Sequence, residues 1–146
     1  TTVNYLAPES HTDIWILAGQ SNMYGWAPLP LQPDKPNPHV WMFGLDNRWM
    51  LAQDPLHRGY EAEAPIYHEF MLGMCKTEEQ YQAYRAQSKK SPIGGVGPGL
   101  FFAKQLEEAL DKPIALLPAP TQATRASGNR PSLSSTCVLA SLPMTD

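Results

Sequence analysis

The chain has 146 residues, which is enough for one globular domain with an ordinary core. Its net charge of -3 excludes the basic footprint of a nucleic-acid-binding protein, and no apolar run reaches the length of a membrane span. Fifteen prolines indicate long ordered loops rather than a helical bundle. The histidines and cysteines lack metal-ligand spacing, so we expect no metal site.

The first predicted element is a buried strand over Asp13–Ala18, an apolar, β-branched and aromatic run that Gly19 ends. Gln20, Ser21 and Asn22 follow at its carboxyl end, the edge of an α/β sheet where ligands bind. A hydroxyl placed there makes Ser21 a candidate nucleophile. The alternative is that Ser21 and Asn22 only cap a helix, since both residue types favour that position.

The middle of the chain is rich in loops. A proline-rich loop over residues 24–38 precedes two short predicted strands, Val40–Phe43 and Arg48–Leu51, joined by a hairpin turn. Residues 58–92 are predicted to be a solvated insertion or flap. It contains one short polar helix.

That polar helix has a recognisable start. Thr77 and Gln80 have the spacing of a capping box, and Tyr81 and Tyr84 follow on one face. Elsewhere, Trp26 is a candidate apolar binding surface. Trp41 is another, although core packing is its alternative use.

A second α/β unit follows. Gly95–Gly99 is a glycine-rich loop, and Pro98 suits the first turn of a helix. Helical spacing then predicts an apolar stripe of Phe102, Leu106, Ala109 and Leu110. Pro113 ends the helix, and Ile114–Leu117 reads as a strand buried on both faces. Loop, helix and strand form an α/β crossover unit.

The glycine loop does not fit a phosphate-binding motif. Leu100 stands where the dinucleotide motif needs glycine, and Leu100 and Phe101 stand where the P-loop needs Lys and Ser or Thr. We expect the glycines, Gly97 among them, to let the backbone pack closely beside the Ser21 turn.

Two blocks carry a family resemblance. Gly19–Met23 reads Gly-Gln-Ser-Asn-Met and Gly95–Leu100 reads Gly-Val-Gly-Pro-Gly-Leu. Both resemble blocks of the SGNH hydrolases, in the sialate O-acetylesterase-like branch of carbohydrate acetylesterases. The α/β-hydrolase elbow is excluded, because it needs glycine where Met23 stands.

The resemblance implies a three-layer α/β/α, flavodoxin-like fold with a parallel sheet. It also implies a serine carbohydrate O-acetylesterase that acts on O-acetylated carbohydrates without a cofactor. Ser21 would be the nucleophile and an oxyanion N–H donor. Gly19, Gln20, Asn22 and Gly97 would contact the substrate or support the residues that do.

The sequence leaves two alternatives for the general base that would activate Ser21. Asp54 and His57 have the Asp-x-x-His spacing that the resembled family uses for its base and the orienting carboxylate. In that family the motif lies near the C-terminus, however, and a Pro-Leu-His loop occurs separately in this branch. His57 as base and Asp54 as orienter therefore compete with a base from elsewhere.

Residues 1–119 are thus predicted to be the N-terminal part of an SGNH esterase domain. The Ser/Thr/Arg/Pro-rich residues 120–146 are expected to be an irregular tail, disordered or out of frame, without the later family blocks. Within it, residues 137–142 could cover a sheet edge. The fold would then be C-terminally incomplete, and the chain inactive by itself.

The alternative function is a non-catalytic carbohydrate-binding or structural remnant of the same fold. Neither nucleic acid nor a membrane is an expected partner. No targeting segment is present in this sequence, and the resemblance favours a secreted or periplasmic location.

Overall fold

The computed structural model describes residues 7–19, 21–91, 95–120 and 138–142. These form a mixed α/β fold around a five-stranded sheet, which confirms the predicted class. The strands are β1 (Asp13–Gly19), β2 (Val40–Phe43), β3 (Trp49–Leu51), β4 (Ile114–Pro120) and β5 (Val138–Leu142). The helices are α1 (Ser21–Tyr24), α2 (Pro65–Cys75), α3 (Glu78–Lys90) and α4 (Pro98–Leu110), with a 3₁₀ turn at Gly59–Glu61.

The sheet has a parallel centre and antiparallel edges, in the order β3-β2-β4-β1-β5. β4 runs parallel to both of its neighbours, so Ile114 is in register with Asp13 on one side and Val40 on the other. β3 pairs antiparallel with β2, which confirms the predicted hairpin.

β5 lies antiparallel along the outer edge of β1. The tail expected to be irregular therefore contains one strand, and its predicted use as an edge cover is confirmed for Val138–Leu142. An unpaired strand edge exposes a row of N–H and C=O groups, and an apolar segment that pairs with it satisfies them. The rest of the tail, residues 121–137 and 143–146, lies outside the described residues.

One face of the sheet packs against α4. Gly99 and Ala103 are buried on that helix, and an added Cβ at Gly99 would lie 2.9 Å from a methyl carbon of Leu56. These small residues bring the first turns of α4 close to the sheet. The predicted stripe was too long, because Ala109 and Leu110 are exposed on the last turns, which lie beyond this close contact. The core under α4 comprises Leu17, Met23, Val40, Met42, Met50, Ala52, Leu56, Ala103, Ile114 and Leu116.

The segment 58–92 contains two helices that pack on each other, rather than the one solvated helix that was predicted. The Thr77 side chain accepts a hydrogen bond from the Gln80 N–H at 3.2 Å, which confirms the predicted cap. Tyr81 is only 1% exposed, however, because α3 packs on α2 and on the 3₁₀ turn. α2 was not predicted, because its apolar residues surround most of the helix and form no single stripe; two of them, Ile66 and Met74, are exposed. No helix in the described ranges has the length and apolarity to cross a bilayer.

Candidate active site

Ser21 lies at the carboxyl edge of the parallel strands. β1 ends at Gly19, which is in register with Pro120 at the end of β4, and Ser21 begins α1 just beyond. Gln20 lies outside the described residues. Parallel strands share their carboxyl edge, and that edge is where open α/β sheets bind ligands. The predicted position of Ser21 at the end of the first strand is confirmed.

The glycine loop before α4 packs directly against this turn. A Cβ added at Gly97 would lie 2.9 Å from the Met23 carbonyl oxygen, closer than Cβ atoms come to other heavy atoms in proteins. Beside this contact, Ala27 and Val96 exchange backbone hydrogen bonds of 3.3 and 2.8 Å. The expected role of the glycines, close backbone packing beside the Ser21 turn, is confirmed.

His57 lies against the same turn. Its ring stacks on Tyr24, the last residue of α1, with centroids 5.2 Å apart and planes 22° apart. His57 is 1% exposed, and neither ring nitrogen forms a hydrogen bond of good geometry within the described part of the chain, although the Met23 backbone is close enough to act on the ring. Burial lowers the pKa of His57 to about 4, and the Met23 backbone opposes this shift only in part. The ring is therefore neutral at neutral pH.

Asp54 does not orient His57. Among the described residues, Asp54 included, neither ring nitrogen of His57 has a hydrogen-bond partner, so the predicted Asp54–His57 pair is not formed. Between them, Leu56 is buried in the core, and this anchoring directs Asp54 to a different surface from His57. Burial raises the pKa of Asp54 to about 6, against the opposing effects of Lys104, Arg58 and the Gly97 backbone.

Asp54 lines a cleft of about 780 Å³ between the proline-rich loop, residues 52–61 and α4. His57 is not among its lining residues. Lys104 lies 3.6 Å from Asp34, and Arg58 lies 3.9 Å from Glu61, so these charges in the cleft largely neutralise one another in pairs. Lys35, Lys89 and Asp54 are the other charged residues that line the cleft.

Residues 11–130 match the model of a protein family described as carbohydrate esterase, sialic acid-specific acetylesterase. The chain belongs to this family. The match contains both sequence blocks that carry the resemblance, together with Ser21, Asp54, His57 and Gly97. It supports carbohydrate ester hydrolysis as the family-level chemistry.

One solved structure, a protein from Arabidopsis thaliana, is similar at 24% sequence identity with a TM-score of 0.46. The alignment covers 76% of this chain and 42% of that one, so the chain spans less than half the length of the Arabidopsis protein. No curated protein sequence matches.

In this acetylesterase-family chain, Trp41 is 3% exposed and lies in the interior, which agrees with its alternative use in core packing. Trp26 is 57% exposed. The stack of Tyr24 on His57 was not predicted, and the only signal for it was an aromatic residue three positions after Ser21. Among the residues whose positions are described, no three His, Cys, Asp or Glu side chains form a group that could hold a metal ion.

The shifted pKa values of Asp54 and His57 act on stability in opposite directions. The folded pKa of His57 is depressed from 6.5 to about 4, so stability is lost as pH falls from 6.5 towards 4. The folded pKa of Asp54 is raised from 3.8 to about 6, so stability is gained as pH falls through 6. In the wild-type protein the two effects nearly cancel.

Asp54→Asn removes one of these two effects. We expect the variant to exceed the wild type in free energy of unfolding by about 1–2 kcal/mol at pH 7, because it avoids burying a carboxylate that remains partly solvated. This advantage should shrink as pH falls from about 6 towards 3.8, because Asp54 of the wild type then becomes protonated, whereas His57 titrates in both proteins. Urea unfolding at pH 7 and pH 4.5 measures both differences.

Asp34→Asn is the matched control, because the side chain of Asp34 is 90% exposed. Its unfolding free energy should follow that of the wild type within about 0.5 kcal/mol at both pH values. If Asp54→Asn and the wild type unfold at the same urea concentration at pH 7, the raised pKa of Asp54 is wrong.

Proposed function

We propose that the protein acts in carbohydrate O-acetyl ester hydrolysis, with Ser21 as the nucleophile. The observation that supports this is the position of Ser21, which begins α1 at the carboxyl edge of β1 in a chain of the acetylesterase family. The substrate is an O-acetylated carbohydrate. Gly19, Gln20, Asn22 and Gly97 contact the substrate or support the residues that do.

The proposed reaction is acyl transfer in two steps. The Ser21 hydroxyl oxygen attacks the acetyl carbonyl carbon and gives its proton to a base, and the sugar leaves as an alcohol with that proton. Water then attacks the acetyl-serine and releases acetate. The Ser21 N–H donates a hydrogen bond to the oxyanion in both steps.

The fold contributes a fixed position for this turn. Met23 is 3% exposed and belongs to the core, while Gly97 packs against its carbonyl oxygen. Anchoring on both sides limits the freedom of α1. Rigid placement matters because a nucleophile displaced by about 1 Å can lose on the order of a hundredfold in rate.

The general base is the part of the proposed mechanism that these residues support least. His57 contacts the same turn, but its buried ring has a pKa of about 4 and no carboxylate partner. An effective general base has a pKa near the working pH and a fixed orientation. In a serine protease, removing the base costs on the order of a millionfold in turnover. We therefore propose that these 146 residues have negligible activity by themselves.

The test supplies a base from solution. Hydrolysis of 4-methylumbelliferyl acetate is measured for the chain and for Ser21→Ala, each with and without imidazole. Without imidazole the two proteins should give the same rate. With imidazole, the wild-type chain should exceed Ser21→Ala, because imidazole can accept the proton of the serine.

Equal rates for the two proteins under every condition contradict the assignment of Ser21 as nucleophile. A Ser21-dependent rate without added imidazole contradicts the proposed inactivity instead, and His57→Ala then shows whether His57 is the base. If Ser21→Ala still binds an O-acetylated sugar while no Ser21-dependent turnover exists, the non-catalytic carbohydrate-binding alternative is favoured.

A further inference from the structure

We propose that Trp26 is a stacking surface for the sugar ring of the substrate, beside the turn that Ser21 begins. This inference rests on the proposed function. Trp26 is 57% exposed although tryptophan is a large, mostly buried residue type. One face of its ring stacks on Tyr24, with centroids 5.3 Å apart and planes 23° apart. The exposure of Trp26 leaves part of its ring surface accessible to a ligand.

Neighbouring residues hold the Trp26 ring in place. Tyr24 lies between Trp26 and the buried His57, so three rings stack in sequence from the surface to the interior. The next residue, Ala27, is held by its two backbone hydrogen bonds to Val96. A ligand that stacks on Trp26 therefore has little side-chain motion to suppress, which lowers the entropic cost of binding.

The location of Trp26 beside α1 supports the same proposal. Tyr24 is the last residue of the helical turn that Ser21 begins, and three residues of α-helix rise about 4.5 Å. Trp26 stacks directly beyond Tyr24. The Trp26 ring therefore contacts the helical turn that carries the proposed nucleophile, and a sugar stacked on it would lie beside that turn.

The chemistry of an indole face suits a pyranose. The π-face carries partial negative charge, and the C–H groups on one face of a sugar ring carry partial positive charge, so the two surfaces attract while the hydroxyls stay hydrated. The other exposed aromatic ring, Phe101 at 70% exposure, has no ring stacked against it in the described part of the chain. Support by a stack distinguishes Trp26 from an ordinary exposed side chain.

The test measures binding in the Ser21→Ala background, so that turnover cannot consume the ligand. A methyl glycoside of an O-acetylated sialic acid is titrated and followed by NMR chemical shifts. Trp26→Ala should weaken binding by about tenfold, which corresponds to the loss of one aromatic contact. Trp26→Phe should weaken it less, because a smaller ring face remains.

Met74→Ala is the control, because it removes an exposed apolar side chain that does not line the cleft, and it should leave the affinity unchanged. Far-UV circular dichroism checks that each variant is folded. Unchanged affinity in Trp26→Ala, equal losses in Trp26→Ala and Met74→Ala, or no binding by the Ser21→Ala parent at millimolar glycoside would each overturn the proposal.

The outcome is separable from that of the esterase assay. Binding that depends on Trp26, without any Ser21-dependent hydrolysis, keeps the stacking surface and rejects the esterase. Ser21-dependent hydrolysis, together with an affinity that is unchanged in Trp26→Ala, keeps the esterase and rejects the stacking surface.

Discussion

Gly25→Ala is expected to lower the free energy of unfolding by about 4 kcal/mol, because it combines backbone strain with a backbone clash. Gly25 has φ of 93°, a conformation that residues with a Cβ rarely adopt. The added Cβ would also meet the backbone nitrogen of Gly97 and would lie 2.6 Å from the carbonyl carbon of Val96. Backbone atoms cannot move aside as a flexible side chain can. Urea unfolding followed by circular dichroism measures the loss.

Gly73→Ala provides the comparison. Gly73 lies inside α2, and nothing stands within 4 Å of its added Cβ. Alanine is the better helix former, so this variant should be more stable than the wild type by about 0.5–1 kcal/mol. The prediction for Gly25 fails if its variant loses less than about 1 kcal/mol, the effect of an average substitution.

Leu116→Ala should cost about 3–4 kcal/mol, because it leaves a cavity in the centre of the sheet. Leu116 is 0% exposed on β4 and lies in register with Met42 on β2 and Trp15 on β1. Strands on both sides restrict how far the surroundings can collapse into the vacated space. The midpoint of urea unfolding should fall while the slope of the transition stays constant.

Leu31→Ala makes the same chemical change at a side chain that is fully exposed, with a relative exposure of 103%. Its unfolding free energy should stay within about 0.5 kcal/mol of the wild type. Similar losses in the two leucine variants would show that burial in the sheet is not what stabilises the protein.

The parts of the fold that could be predicted are those with a local signal. Short-range patterns of apolar residues, glycine and proline predict β1, the β2–β3 hairpin and α4. The structure contains these elements with small changes in their bounds. α2 could not be found in this way, because its apolar residues surround most of the helix and give no one-sided periodicity. The burial of Tyr81 depends on packing between helices, which a polar helix sequence does not reveal.

The same distinction holds for the candidate site. The position of Ser21 follows from a strand that ends at a glycine, which is local information. The Asp54–His57 pair had the right spacing and still does not form, because Leu56 between them is anchored in the core and His57 stacks on Tyr24. Spacing fixes the separation of two residues along the chain, whereas tertiary contacts fix where their side chains go.

The contact between the first turn and the glycine loop also has a consequence for the order in which the protein can assemble. Residues 25–27 are held by residues 95–97, through close glycine packing and the Ala27–Val96 hydrogen bonds. An emerging polypeptide that has not yet reached Gly95 lacks these partners. The turn that begins at Ser21 can therefore acquire its final shape only after residues 95–97 have also left the ribosome, although its own residues are synthesised well before them.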